Sequence, residues 1–268
     1  MRPLLNFSII AVAVYCGLVL LVYIFQRNLL YYPSTKNAKP ADYGISEMAQ
    51  VEIITSDGLK LDAWFKEAEE GKQTILYLHG NAGHLGNRSI KVKNYLDAGF
   101  GLLLLGYRGY GGNSGKPSEK NLYIDGRAAL SFLIKYQVPL SNTIIYGESL
   151  GTGVAVEIAR NLRINCLVLE APFSSMTEVA AHHYFYLPTR FLLKDRYNSI
   201  GKINEITAPI FFVHGELDRV VPWKFGKRLY DVAPQPKELL LIGNANHNNL
   251  YDFGASNSII KFIEKINK

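Results

Sequence analysis

The sequence is organised around one stretch, Gly147-Glu148-Ser149-Leu150-Gly151-Thr152-Gly153. It follows an apolar, strand-like run from Thr143 to Tyr146 and leads into a helix-like run from Val154 to Leu162. A serine between two glycines at such a corner matches the Gly-x-Ser-x-Gly nucleophile elbow. In so tight a turn we expect a strained serine backbone and neighbouring segments that leave no room for side chains at the glycines. The stretch therefore predicts a serine hydroxyl presented at the end of a strand.

This pattern is short and arises often by chance, so an ordinary glycine-rich turn remains the alternative until the rest of the chain is considered. Apolar strand-like runs occupy residues 74–78, 101–105, 143–146, 166–170, 210–213 and 238–242. Helical patterns separate most of them, and a hairpin pattern, Val51 to Phe65, precedes them. Strands that alternate with helices predict an α/β fold, with a mainly parallel central sheet and helices on both faces.

Polar residues follow several of these strands directly. The segment His79-Gly80-Asn81 follows one strand, the elbow another, and Asp218 and His247 the last two. Ligands of parallel sheets bind outside the carboxyl ends of the strands. We therefore expect these four segments to meet at one edge of the sheet.

Ser149 needs an adjacent base, because a serine hydroxyl is a weak nucleophile at its own pKa. The chain has six histidines, and the order Ser–Asp–His restricts the choice to those that follow the elbow, His214 and His247. His214 precedes Asp218, whereas His247 lies in a polar loop after the last strand. The predicted triad is Ser149, His247 and Asp218, with Asp218 orienting the imidazole and Glu216 as the second choice for that role.

The negative oxygen that forms during acyl transfer needs fixed hydrogen-bond donors. The backbone amide of Leu150, at the start of a helix, and that of Asn81, after His79-Gly80, are the predicted oxyanion hole. This chemistry requires no metal or organic cofactor. The adjacent His182 and His183 have no third ligand nearby in the sequence, so we expect no metal site.

The N-terminal run from Phe7 to Phe25 is uncharged and mostly apolar. As a helix it is about 28 Å long, close to the hydrocarbon thickness of a bilayer. Arg2 and Arg27 flank it, and Tyr31 and Tyr32 are placed like residues of an interfacial belt. Residues 1–33 are therefore predicted to be an uncleaved single-pass anchor and interfacial segment, with the side of the membrane undetermined. A cleaved signal peptide is the alternative, although no small-x-small cleavage site follows.

Residues 34–268 are predicted to form one catalytic domain. Residues 172–208 interrupt its alternation and read as a short cap-like insertion, with room for two short helices over the site. The sequence leaves open whether this insertion moves as a lid. Its aromatic stretch, His183 to Tyr186, either lines an acyl pocket or packs in the core or against a membrane.

The composition limits the classes of partner. The chain has 268 residues, of which 48% are hydrophobic, and a net charge of +6 that is spread along its length. A dispersed excess of this size favours an anionic membrane surface over nucleic acid. Cys16 and Cys166 lie in an apolar N-terminal run and a core strand, so no disulfide is expected. The sequence does not indicate an oligomeric state.

Taken together, these stretches resemble the α/β-hydrolase superfamily and, more closely, its Bem46-like group of membrane-anchored serine hydrolases. The matching stretches are His79-Gly80-Asn81-Ala82-Gly83, Tyr107-Arg108-Gly109-Tyr110-Gly111, the elbow, the segment from His214 to Pro222 and the His247 loop. The resemblance implies a hydrolase of esters, thioesters or amides. Some relatives remove S-acyl chains from proteins, but the cysteine-rich N-terminus of those relatives is absent from this chain.

The expected function is therefore acyl hydrolysis through an acyl-enzyme, on a small-molecule or lipid-like acyl substrate. A non-catalytic scaffold that binds a lipid or protein is the alternative from another class. Cofactor-free peroxidation or C–C bond cleavage on the same fold is a third hypothesis. A dehalogenase or epoxide hydrolase would have an aspartate in place of Ser149.

Overall fold

A computed structural model describes the backbone of residues 2–268 and the side chains from Leu5 onward. The expected flanking charge of Arg2 lies outside the residues whose side chains are described. Ten strands are found in the described chain: β1 (Tyr32–Pro33), β2 (Ala49–Ile54), β3 (Lys60–Lys66), β4 (Thr74–Leu78), β5 (Ala82–Gly83), β6 (Gly101–Leu105), β7 (Thr143–Glu148), β8 (Cys166–Glu170), β9 (Ile210–Gly215) and β10 (Lys237–Ile242). The α-helices of the same residues are α1 (Arg2–Leu30), α2 (Ser89–Asp97), α3 (Glu119–Lys135), α4 (Leu150–Ala159), α5 (Met176–His183), α6 (Thr189–Leu192), α7 (Trp223–Val232) and α8 (Ala255–Ile266).

The central sheet has eight strands in the order β10-β9-β8-β7-β4-β6-β3-β2. All neighbours from β10 to β6 are parallel, and the β2–β3 hairpin adds two antiparallel strands at one edge. Strands β4, β6 and β8 are buried along their whole length. Helices cover both faces of such a sheet, which is why these strands are continuously apolar. The predicted α/β fold with a mainly parallel sheet is confirmed.

The two faces of the sheet pack against different helices, because successive side chains of a strand point in opposite directions. In β4, Leu76 and Leu78 belong to the core that contains Val154 of α4. Tyr77, which lies between them, belongs to the opposite core with Val92 of α2. The sheet thus has one apolar core on each face, and its carboxyl edge is left for the loops.

The helix that follows the elbow differs from the prediction. It begins at Leu150, not at Val154, and it ends at Ala159, not at Leu162. Gly151 and Gly153 have low intrinsic helix propensity, which conceals the first turn from a sequence pattern. Tertiary packing determines their conformation: a Cβ added to Gly153 would lie 2.8 Å from the Tyr197 ring.

Helix α1 contains a candidate membrane span, Leu5–Leu30, with a mean hydropathy of 2.6. The length and the composition of the helix support this assignment, and a signal sequence would have the same two features. Most of the helix is exposed, but Val19, Val22, Gln26 and Leu30 are less so and share one face, three or four residues apart. One stripe of α1 therefore contacts the rest of the protein, and the remainder is free to face lipid.

The segment that follows α1 is joined to the central domain. Strand β1 pairs in parallel with β5, which follows β4 directly. Tyr31 is 4% exposed, and its hydroxyl hydrogen bonds with Asp195 (3.1 Å) and Tyr197 (2.8 Å). Tyr31 is therefore buried by polar partners within the protein, whereas Tyr32 is exposed; the interfacial position of this segment stays a prediction.

The segment between β8 and β9 forms two short helices, α5 and α6, as the length of the insertion suggested. Its N-terminal end follows the carboxyl end of β8, so it lies at the edge of the sheet where the polar segments were expected. Helix α5 begins at the Ser175 cap, whose hydroxyl accepts a hydrogen bond from the amide of Glu178. We refer to residues 172–208 as the insertion.

Candidate active site

Ser149 lies at the corner between β7 and α4 in a strained backbone conformation, with φ 51° and ψ −116°. A residue other than glycine in this region costs about 1–3 kcal/mol, so the surrounding packing must maintain it. A Cβ on Gly151 would overlap the carbonyl oxygen of Leu78, and one on Gly147 would lie 2.6 Å from the Cα of Thr152. The corner has the expected strain, and its glycines are required by close backbone approach.

Hydrogen bonds hold this corner in place from both sides. The amide of Ser149 donates to the carbonyl oxygen of Glu170 (2.8 Å), at the end of the adjacent strand β8. The carbonyl oxygen of Ser149 accepts from the amide (2.9 Å) and the hydroxyl (2.6 Å) of Thr152. The backbone of Ser149 is therefore fixed relative to two strands and the first turn of α4.

Ser149, His247 and Asp218 form a continuous chain of hydrogen bonds. The distance from Ser149 Oγ to His247 Nε2 is 3.0 Å, and that from His247 Nδ1 to Asp218 Oδ2 is 2.7 Å. A carboxylate only accepts hydrogen bonds, so Nδ1 carries the proton. Nε2 is then the acceptor for the serine hydroxyl, which is the tautomer that a general base needs.

The Asp218 carboxylate is completely buried and has a partner on every side. One oxygen accepts from the amides of Val220 and Val221, both at 2.8 Å. The other lies 2.7 Å from His247 Nδ1 and 3.2 Å from His214 Nε2. Burial favours the protonated acid, but the hydrogen bonds with His214 and His247 outweigh it and hold the pKa of Asp218 well below its ordinary 3.8. The group is therefore a carboxylate at neutral pH.

The loops after β9 and β10 are joined to each other, which brings His247 over the elbow. The amide of Glu216 donates to Ile242 (3.0 Å), and that of Leu217 donates to Ala245 (3.0 Å). Glu216, the second choice for the acidic role, has an exposed side chain and no hydrogen bond with His247 within the described chain. The geometry places Asp218 and not Glu216 beside the imidazole.

The contact between His214 and Asp218 was not predicted from the sequence. The Nε2 atom of His214 lies 2.8 Å from the carbonyl oxygen of Val221, in addition to the contact with Asp218. That carbonyl must accept, so Nε2 carries the proton and helps to orient the loop that holds Asp218. The spacing of four residues between His214 and Asp218 is the sequence feature that could have indicated this contact.

The loop that carries Asn81, one of the two predicted oxyanion donors, lies beside Ser149. A Cβ on Gly80 would lie 3.5 Å from the Ser149 Cβ, which places the loop after β4 next to the hydroxyl. The amides of Asn81 and Leu150 donate to no acceptor among the residues that the structure describes. The carbonyl oxygen of Asn81 accepts from Tyr32 (2.9 Å) and from the Tyr110 hydroxyl (2.8 Å). The carbonyl side of Asn81 is thus fixed by two hydrogen bonds, while its amide has no acceptor among the described residues.

His79 supports this loop as a neutral side chain. Its Nδ1 lies 2.7 Å from the carbonyl oxygen of Gly80, and its ring packs between Tyr107 and Tyr110. Complete burial, followed by the nearby Arg88 charge, lowers the pKa of His79 from 6.5 to about 3. An uncharged His79 is suited to positioning the loop and not to proton transfer at neutral pH.

Two charged residues of the matching stretches prove to be structural. Glu148 accepts from Arg88 and Lys91 (both 3.1 Å), and Lys91 continues to Glu170 (2.5 Å). Burial raises the pKa of Glu148, but the two cations outweigh that effect and lower it overall.

Arg108 has a corresponding role elsewhere. It lies between Asp57 and Asp125. The ion pairs of Glu148 and Arg108 support a structural role for each side chain and not substrate binding.

Known proteins resemble this chain in sequence and in structure. A family model described as the alpha/beta hydrolase fold matches residues 73–198. The uncharacterized protein Rv2307c of Mycobacterium tuberculosis is 36% identical over 236 residues, which cover 87% of this chain and 84% of the relative. Human alpha/beta hydrolase domain-containing protein 17B is 34% identical over 206 residues, which cover 75% of this chain and 69% of the human protein. The Pyrococcus furiosus esterase Pf2001 has a TM-score of 0.73 at 22% identity and covers 89% of this chain and 100% of its own.

These similarities support a hydrolase in general terms. The structural neighbour shows the fold, since its sequence identity is too low to carry a substrate across. The roles of Ser149, His247, Asp218 and the two amides are predictions that the geometry makes chemically reasonable.

Proposed function

This chain belongs to the α/β-hydrolase family, in its Bem46-like group, and on that premise we propose that it is a membrane-anchored serine hydrolase of acyl esters or thioesters. One observation carries the proposal: the chain of hydrogen bonds from Asp218 through His247 to Ser149. All three side chains are buried or nearly so, and each is fixed by its own element. Such an arrangement is what nucleophilic acyl transfer requires.

In the proposed reaction, Ser149 Oγ attacks the acyl carbonyl carbon while its proton passes to His247 Nε2. The oxyanion receives hydrogen bonds from the amides of Asn81 and Leu150. When the tetrahedral intermediate collapses, the bond to the leaving alcohol or thiol breaks, and His247 returns the proton to that group. Water then attacks the acyl-enzyme with His247 again as base, and the free acid and Ser149 are released. Asp218 keeps the imidazole in one tautomer and stabilises its charged form.

We also propose the organisation of the chain around this site. Residues 1–33 are the membrane anchor and interfacial segment, and residues 34–268 are the hydrolase domain with the insertion as its cap. The apolar character of α1 supports the anchor, and the lack of a cleavage pattern favours an anchor over a removed signal sequence.

The test is covalent labelling of the purified full-length protein, in detergent, by a fluorophosphonate probe. We expect wild type to be labelled, and Ser149→Ala and His247→Ala to lose labelling, because only an activated serine attacks the phosphorus. The His247 variant keeps the hydroxyl, so its failure to react would show that the base activates it. A folded wild-type protein that is not labelled would overturn the proposal and leave the scaffold hypothesis in its place.

A further inference from the structure

A cavity of about 280 Å³ lies between α1 and the insertion. Helix α1 forms one wall, and α5 with the following segment forms the other. Its apolar lining includes Leu18, Val22 and Leu30 of α1 and Met176, Val179 and Ala180 of α5. No Asp, Glu, Lys or Arg lines the cavity among the described residues. The cavity is therefore suited to a hydrocarbon ligand and unsuited to a charged headgroup.

Specific polar contacts hold α1 in place as a wall. The Gln26 side chain donates to the carbonyl oxygen of Leu192 (3.2 Å) and accepts from the amide of Lys194 (2.7 Å). Arg27 makes a bidentate pair with Asp195, with N–O distances of 2.8 and 3.1 Å. These bonds join side chains of the helix to the backbone and to a buried carboxylate of the insertion. The cavity is a feature of the fold and not a gap beside a loosely placed helix.

The cavity is linked to the candidate oxyanion loop through Leu30. Leu30 lines the cavity, and its carbonyl oxygen accepts a hydrogen bond from Asn81 Nδ2 at 2.9 Å. The amide of the same Asn81 is a proposed oxyanion donor. A chain in the cavity would therefore lie next to a residue that is bonded directly to the proposed oxyanion loop.

The cavity also lies along the membrane-spanning part of α1. The Tyr15 hydroxyl donates to the carbonyl oxygen of Tyr186 at 2.8 Å, and Tyr15 is roughly 22 Å along the helix from Leu30. If α1 crosses a bilayer, the insertion next to Tyr15 lies at the depth of the hydrocarbon. Phe185 and Phe191 of the insertion are 84% and 85% exposed, as expected for side chains that contact lipid and not water.

We propose that this cavity binds the aliphatic tail of an acyl substrate that enters from the bilayer, with the membrane helix as one wall of the site. This inference rests on the proposed hydrolase function, which it refines to long-chain acyl esters or thioesters of membrane lipids or lipidated molecules. The helix is then a part of the binding site as well as a tether.

The first test measures binding without catalysis. Full-length Ser149→Ala in detergent is titrated with cis-parinaric acid, a fluorescent fatty acid. Ala180→Trp, which fills the cavity from the insertion, should weaken binding by about tenfold or more, the effect of excluding two or three methylenes. Ala181→Trp, on the adjacent position of α5 and outside the cavity, should bind as the parent does.

The same comparison on α1 tests the helix as a wall. Val22→Trp should weaken binding like Ala180→Trp, whereas Leu21→Trp, on the exposed side of the helix, should not. Equal binding by all four variants would overturn the proposal. Loss of binding with Ala180→Trp but not with Val22→Trp would overturn the part that concerns α1.

A second test uses the otherwise wild-type enzyme and p-nitrophenyl laurate and acetate. Ala180→Trp should lower the ratio of kcat/KM for laurate to that for acetate by about tenfold, with the ratio unchanged in Ala181→Trp. An unaltered ratio in both would contradict the proposal while leaving the hydrolase intact. Turnover of neither ester by wild type would contradict the proposed function. The binding titration would then still test whether the cavity binds an aliphatic chain.

Discussion

At the scale of single residues, Asp218 has the most demanding environment in the candidate site. Its two carboxylate oxygens accept hydrogen bonds from two amides and from His247 Nδ1, with His214 Nε2 at 3.2 Å as a fourth neighbour, and its side chain is fully buried. An acid in that position can satisfy four donors because it only accepts. The environment thus requires a negative charge at position 218, and it sets the tautomer of both His214 and His247.

We predict that Asp218→Asn lowers kcat/KM by about three to four orders of magnitude with the fold retained. The asparagine oxygen would keep the hydrogen bonds from the amides of Val220 and Val221, so the NH₂ group of the asparagine would face the two imidazoles. His247 would then have to accept at Nδ1 and carry its proton on Nε2, where it cannot take the serine proton. Steady-state ester hydrolysis, with circular dichroism for folding, measures this.

Glu216→Gln is the matched control for that measurement, because it makes the same chemical change at the exposed neighbouring acid. Its activity should be close to wild type. If Glu216→Gln lost activity and Asp218→Asn kept it, the acidic role would belong to Glu216.

At the scale of elements, the elbow depends on how closely β4, β7 and α4 approach one another. The first turn of α4 is packed against the end of β4 so tightly that position 151 has no space for a side chain. The positive φ of Ser149 is maintained by this packing and by the bonds to Glu170 and Thr152. The reactive conformation is therefore a property of three elements together.

We predict that Gly151→Ala lowers the free energy of unfolding by about 3 kcal/mol, or prevents folding, since the new methyl group would have to displace the backbone of β4. Gly243→Ala is the control, because its Cβ would meet only the Glu216 carboxylate, at an ordinary 3.5 Å. Urea unfolding of the two variants in detergent provides the comparison. Equal stabilities would mean that the strands separate easily at this point and that the elbow is not a rigid corner.

At the scale of the whole molecule, the apolar helix and the hydrolase domain form one structure. Helix α1 contacts the insertion through Gln26 and Arg27, and the chain then enters β1, which pairs with β5 beside the oxyanion loop. If the helix were cleaved as a signal sequence, the buried Asp195 of the insertion would lose its cationic partner Arg27, and the cavity would lose one wall. This arrangement favours a retained anchor.

We predict that the protein purified from membranes has an intact mass close to 30.0 kDa, the mass of the whole chain. It should also remain in the pellet after alkaline carbonate extraction, because a spanning helix is not released by charge disruption. A mass reduced by the N-terminal helix, together with recovery in the soluble fraction, would show that the helix is a cleaved signal.

The sequence by itself determined the α/β class and the candidate nucleophile. The strands appear as apolar runs, and the elbow appears as a short motif, because both are set by residues that are neighbours in the chain. The order of Ser149, Asp218 and His247 indicated a triad, since that order follows from the topology of a parallel sheet. These patterns are local or topological, which is why a sequence contains them.

Only the tertiary structure decided the remaining features. Tyr31 was expected at a membrane interface and is buried against Asp195 and Tyr197, and α4 ends at Ala159, three residues before the end of the helical pattern. The second imidazole at Asp218 and the cavity between α1 and α5 were not expected either. Each depends on side chains that meet across the fold: Tyr31 and Asp195 are 164 positions apart in the chain. No periodicity or short motif records such a contact, because it exists only after the chain has folded.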